Sequence, residues 1–257
     1  MQLEQIAPIF ISFIIFSIIG EAIYSHVKKK QLYDTNDTWT SISFGILGVV
    51  TRIAIKGTNI YMWFWIASLS PFQISSGLFS FLLLFLLNEF IYYWFHRWSH
   101  EIPFLWATHV NHHSSMKMNF AVAARTPFLN AIYHVLFWIP LPLIGFDPYE
   151  ILFVETISFF FAFAQHTTLI PKLGWIEWIF NTPSHHRVHH ASNPEYLDKN
   201  FGNVLIIFDR LFGTFREEKS TPIYGITKNP VNRSFLHMVF HGWIDLFHKN
   251  AEQKIRY

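Results

Sequence analysis

Long apolar runs separated by short polar breaks dominate the chain, a pattern that predicts a bundle of membrane-spanning helices. Pro8 to Tyr24 is nearly all apolar and ends at Lys28, Lys29 and Lys30, as a helix leaving the bilayer on its cytoplasmic side would. Ser41 to Leu69 is a second apolar region, interrupted by Arg52, Lys56 and Gly57, and predicts one spanning helix plus an interfacial piece. Ser76 to Phe95 is a third run, Phe128 to Phe146 a fourth, and Ile151 to Gln165 a shorter fifth; after Pro171 the chain turns polar. With the lysines inside, five crossings return the third and fifth helices to the cytoplasmic face. A second helix that starts at Ser41 leaves Arg52 and Lys56 near its outer end, whereas laying Ser41 to Lys56 on the inner surface avoids this. The expected fold is an all-α integral membrane bundle of about four to five transmembrane helices under a cytoplasmic, histidine-rich helical cap.

Composition sharpens this picture. The 257 residues are 51% hydrophobic, 19% aromatic and 14% charged, where soluble domains carry about a quarter charged residues. No Gly/Ser-rich, Pro-rich or long charged stretch divides the chain, so residues 1–257 read as a single membrane domain. A net charge of +2 is too small to argue for nucleic acid as a partner. Cysteine is absent, which excludes disulfides and thiolate metal sites. The start, MQLEQIAPIF, has neither a basic flank nor a small-residue cleavage site, so the first apolar run is expected to be a retained helix.

The candidate chemistry is histidine. Nine of the 15 histidines fall in two windows. FHRWSH sets His96 and His100 four apart, on one helix face; HVNHH sets His109, His112 and His113 at i, i+3 and i+4. SHHRVHH repeats that spacing with His186, His189 and His190 and adds His185. Neutral imidazole binds iron, zinc, copper or nickel, so residue type does not name the metal. The number of ligands is more telling: one zinc takes four, so eight or more imidazoles imply two metals. Neither window supplies the glutamate of a zinc protease. A histidine-rich metal transporter is the rival class, although it should hold its ligands within the spans, near the bilayer midplane.

Several single residues extend the site. His166 ends the fifth run where both windows emerge, which makes it a candidate ligand. Glu89 shares a stripe with Tyr93, His96 and His100, and a carboxylate inside a span needs a partner, so it is a candidate acceptor for an imidazole N–H. Asp198 and Asn200 follow the last window closely enough to hold a ligand N–H or a metal-bound water. Glu155 is expected near the outer surface, His134 in packing rather than in a channel, and His237, His241 and His248 in a solvated or interfacial tail. His26 has no evident role. Arg187 cannot coordinate and is suited to a headgroup phosphate or carboxylate.

H-x-x-x-H, H-x-x-H-H and, after a hydrophobic hairpin, a second H-x-x-H-H make the chain resemble the fatty acid hydroxylase and sterol desaturase superfamily. YYWFHRWSHEIPFLWATHVNHHSS, FNTPSHHRVHHASN and DKNFGNVLIIFDRLFGTF look most like its alkylglycerol monooxygenase branch. The resemblance covers a catalytic core at about residues 81–215. It implies a cytoplasm-facing diiron site that activates O2 to oxidise an unactivated C–H bond of a membrane lipid of fatty acyl, alkylglycerol or sterol type. Desaturation on the same scaffold is the alternative outcome. Carried onto this chain, the ligands are His96, His100, His109, His112, His113, His166, His186, His189 and His190. Ala162 stands where fatty acyl hydroxylases of the family can have a further histidine, and His185 or a water is expected to complete the set. No dinucleotide fingerprint or haem segment is present, so the two electrons must come from an external donor, either an electron-donor protein or a reduced pterin.

Overall fold

The computed structural model describes residues 3–230 and 234–248. Among these, helices dominate and strands are absent, leaving only isolated bridges between Phe180 and Leu205 and between Ala191 and Tyr224. The helices are α1 (Leu3–Val27), α2 (Thr35–Leu69), α3 (Leu78–Glu101), α4 (Pro103–His113), α5 (Asn130–Phe137), α6 (Pro140–Leu143), α7 (Pro148–Ala164), α8 (Pro183–His189), α9 (Ile207–Leu211) and α10 (Phe235–His248).

Local sequence sets their ends. Asp34 caps α2 by accepting from the Asp37 amide at 2.9 Å, and Asp147 caps α7 by accepting from Tyr149 at 2.8 Å. Pro103, Pro148 and Pro183 open α4, α7 and α8, where a missing N–H costs nothing. Gly145 makes the turn into α7 at φ 102°, and a Cβ there would lie 2.7 Å from the Phe72 carbonyl oxygen.

Among the described residues three helices, α1, α2 and α3, are long and apolar enough to cross a bilayer, and the chain is read as an integral membrane protein. The boundaries inside the bundle differ from expectation. The second apolar region belongs to one unbroken 35-residue helix, longer than the roughly 20 residues a crossing needs, because Arg52, Lys56 and Gly57 interrupt hydropathy without breaking the backbone ladder. The fourth run is two short helices: Pro140 and Pro142 lack the N–H groups that α5 would need to continue. The third run continues as helix past Phe95 to Glu101, so α3 itself carries His96 and His100.

Trp63, Leu84, Phe95, Val135, Trp138, Leu141, Phe146, Ile151 and Val154 form the core between α2, α3 and the α5–α7 segment. A polar stitch crosses it: Trp138 Nε1 donates to Asn88 Oδ1 at 2.8 Å, and Asn88 Nδ2 donates to Ser158 Oγ at 3.1 Å. Hydrogen bonds of this kind hold helices together where lipid offers no hydrophobic drive. Large apolar side chains such as Phe16, Ile53, Tyr61 and Phe79 point outward.

Both ends of the bundle are defined by hydrogen bonds. At one, the Ile74 amide donates to the Gly145 carbonyl at 3.0 Å, joining the α2–α3 loop to the α6–α7 turn. At the other, buried Glu21 near the end of α1 accepts from the Phe120 amide at 2.7 Å, from Tyr33 Oη at 2.7 Å and from the Thr167 hydroxyl. Exposed Lys28, Lys29 and Lys30 therefore share an end with the histidine-bearing loops. In α10, His241 is buried rather than solvated, because that helix lies on α4 with Gly242 against the Ala107 carbonyl; His248 is exposed as expected.

Candidate metal centre

Four elements bring imidazoles together at that end. α3 contributes His96 and His100, α4 contributes His109, His112 and His113, α8 and the residue that follows it contribute His186, His189 and His190, and His166 follows the end of α7. They sort into two groups, each with ligand nitrogens within 4.8 Å of one another. One comprises His96, His100, His109, His113 and His189; the other comprises His112, His166, His186 and His190. α4 and α8 each serve both groups. His112 and His113 are neighbours in sequence and so diverge by about 100° around the helix. His186 and His190 share a face that His189 does not. The groups adjoin, with the rings of His113 and His190 4.5 Å apart.

Backbone carbonyls fix the outer nitrogens. His96 Nδ1 faces Phe201 O at 2.8 Å, His189 Nδ1 faces Lys199 O at 2.9 Å, His112 Nδ1 faces Arg125 O at 3.3 Å, and His166 Nδ1 faces Ala162 O at 2.7 Å. A carbonyl only accepts, so the proton of each neutral ring lies on Nδ1 and Nε2 presents a lone pair inward. Yet His112 Nε2 and His166 Nε2 stand 3.2 Å apart. Two lone pairs at that distance repel unless a cation lies beside them. His100 Nε2 and His189 Nε2 are buried with no hydrogen-bond partner among the described residues. Burial, reinforced by neighbouring imidazoles, holds His109, His112, His113, His186, His189 and His190 well below the usual imidazole pKa. These rings are neutral at neutral pH, the form a metal requires. The residues therefore fit two adjacent nitrogen-donor metal ions.

The profile of the fatty acid hydroxylase family matches residues 81–214, just over half of the chain and the whole of this histidine array. The chain belongs to that family. It is 38% identical over 223 residues to alkylglycerol monooxygenase of Xenopus tropicalis, covering 84% of this chain and 48% of the relative. The human alkylglycerol monooxygenase is 36% identical over 239 residues, covering 89% of this chain and 51% of the relative. An ornithine lipid hydroxylase of Rhizobium tropici is 32% identical over 168 residues, covering 64% and 48%. The chain thus spans about half the length of these relatives. No solved structure shows significant similarity to it.

Other residues singled out in this family member's sequence occupy different places. His185 belongs to neither group: one residue before His186, it turns away toward Glu177 (3.9 Å) and Phe215, and burial lowers its pKa to about 4. Glu89 does not reach an imidazole; its oxygens accept from the amides of Val204 and Leu205 at 2.7 and 3.0 Å and from Ser158 Oγ at 3.1 Å. Asp198 Oδ1 lies 3.5 Å from His100 Nδ1. Asn200 ties the backbone, accepting from the Arg216 amide at 2.8 Å and donating to the carbonyls of His185 and Arg216. Arg187 is engaged internally by Glu218 at 2.6 and 2.8 Å and by the carbonyls of Thr167 and Ile170, which leaves it no role at a headgroup. His134 stacks on Trp138 and lies 3.4 Å from the half-buried Glu155, in packing as expected. A narrow cleft lined by His100, Trp106, His113, His189 and Asp198 opens onto the five-histidine group. The acceptor carbonyls escaped sequence reasoning because every residue has one.

Proposed function

We propose that this chain is a membrane-bound non-haem diiron oxygenase that hydroxylates a C–H bond of a lipid. The observation that carries the reading is the pair of histidine groups, with lone pairs turned inward by carbonyls. His96, His100, His109, His113 and His189 would hold one iron, and His112, His166, His186 and His190 the other. His185 is left out, and the catalytic core is taken as residues 81–215 within a single membrane domain.

When bound, two ferrous ions supply dioxygen activation. Overall, O2, two electrons and two protons convert the lipid C–H to C–OH and release water; the electrons come from outside the chain, from a donor protein or a reduced pterin. The residues of this chain would hold the metals near the ends of α3 and α7, where apolar helix surfaces begin. A lipid chain can reach that level without leaving an apolar environment, whereas a soluble metabolite would find nothing apolar to match. The names of the relatives, alkylglycerol monooxygenase and ornithine lipid hydroxylase, favour the same substrate class. Purified protein with iron, oxygen and a range of donors should add one oxygen atom to an alkylglycerol, fatty acyl lipid or sterol, read by mass spectrometry. Loss of two hydrogens instead would make it a desaturase, and turnover of soluble substrates alone would overturn the lipid assignment.

The histidine end is further proposed to face the cytoplasm, because Lys28 to Lys30 share it. A cysteine introduced at exposed Ser220 should stay unlabelled by an impermeant reagent in intact cells and react once they are opened. Ready labelling in intact cells would reverse the orientation.

A further inference from the structure

The segment from Lys199 to Leu205 lies beside the histidines and contributes no ligand, yet it is pinned on every side. Asp209, fully buried, accepts from the amides of Phe201 and Gly202 at 2.7 Å each and from Thr214 Oγ1 at 2.7 Å. Glu89, on α3 and equally buried, accepts from the next two amides, Val204 and Leu205. Gln165 and Asn181 donate to the Asn203 and Gly202 carbonyls at 2.6 and 2.5 Å. Gly202 admits the tight fold, since a Cβ there would collide with the Leu205 carbonyl. Burying two carboxylates is costly, and what they obtain is four fixed amides in one short loop.

The loop offers just two carbonyls to the site, Lys199 O to His189 and Phe201 O to His96. Both imidazoles belong to the five-histidine group. In the four-histidine group, His112 and His166 take their acceptors from Arg125 and from α7 itself. Resting on the diiron reading above, we infer that Asp209 and Glu89 are positioning residues for one metal of the pair. They act through the loop's carbonyls on His96 and His189, and leave the other metal untouched. Two buried carboxylates thereby make the affinities of the two sites separately adjustable.

The test uses the full chain in detergent, stripped of metal and titrated with cobalt(II), whose visible absorption reports each imidazole set. The unsubstituted protein should take up two equivalents; failure to do so would overturn the diiron reading itself. Asp209→Asn places an NH2 against the amides the carboxylate accepted from. One equivalent should then bind as before and the other 10- to 100-fold more weakly, the usual cost of losing an outer partner of a metal ligand. Glu89→Gln should act in the same direction. Combined with His112→Ala, which leaves only the five-histidine site, Asp209→Asn should abolish tight cobalt binding. Combined with His189→Ala, it should leave the remaining equivalent unchanged. Equal weakening of both sites, or a lower unfolding temperature with both affinities intact, would reduce the carboxylates to structural ties and refute the inference. Should either carboxylate variant fail to fold, Ser158→Ala, which removes one donor to Glu89, should show the same one-sided loss in smaller measure, and a symmetric response there refutes the inference equally.

Discussion

Replacing His112 with Ala should remove one metal ion per chain and lower lipid hydroxylation by more than about 100-fold, since even outer partners of metal ligands are worth 10- to 100-fold. The prediction follows from the divergence of His112 and His113 around α4, which sends the first to the four-histidine group and the second to the five-histidine group. His189→Ala should cost the other ion and as much activity. His185→Gln is the informative comparison, because His185 is as deeply buried as its neighbours and sits in the same window. It should keep both metals by elemental analysis. Metal loss in H185Q matching that in H112A would show the grouping to be wrong.

Arg125→Met should destabilise the protein by about 3–5 kcal/mol, the cost of leaving one partner of a buried ion pair alone. The Arg125 side chain is 1% exposed and donates to Asp37 Oδ1 at 2.7 Å, to the Asp37 carbonyl at 3.0 Å, to Ser41 Oγ at 3.2 Å and to Ser114 Oγ at 3.0 Å. Methionine fills much of the same volume but strands the Asp37 carboxylate beside the start of α2. Adding Asp37→Asn should recover part of the loss, because the uncompensated charge disappears. Thermal unfolding in detergent measures both effects. The carbonyl of Arg125 also faces His112, so R125M should loosen the four-histidine metal as it destabilises the fold. Full stability in R125M would show that the ion pair contributes nothing net.

Hydropathy alone marked the apolar runs, because a stretch that must lie in lipid cannot carry polar residues without cost, and α1 and α3 fall where those runs lie. It could not place helix breaks. Arg52, Lys56 and Gly57 lower hydropathy while leaving the ladder of α2 intact, whereas Pro140 and Pro142 barely change hydropathy and end α5. Histidine spacing similarly put His96 with His100 and His186 with His190 on shared faces, since the period of the α-helix is the same everywhere. Which face meets which is a property of how α3, α4, α7 and α8 converge, and only the tertiary structure separated His112 from His113 and His186 from His189. It also turned His185 away from both groups toward Glu177, Glu89 onto a loop and Arg187 into an internal tie. The acceptors that orient the imidazoles are main-chain oxygens, identical in every residue, so no side-chain pattern can encode them; the packing of residues 199–205 against α3 and α8 decides which ones serve His96 and His189.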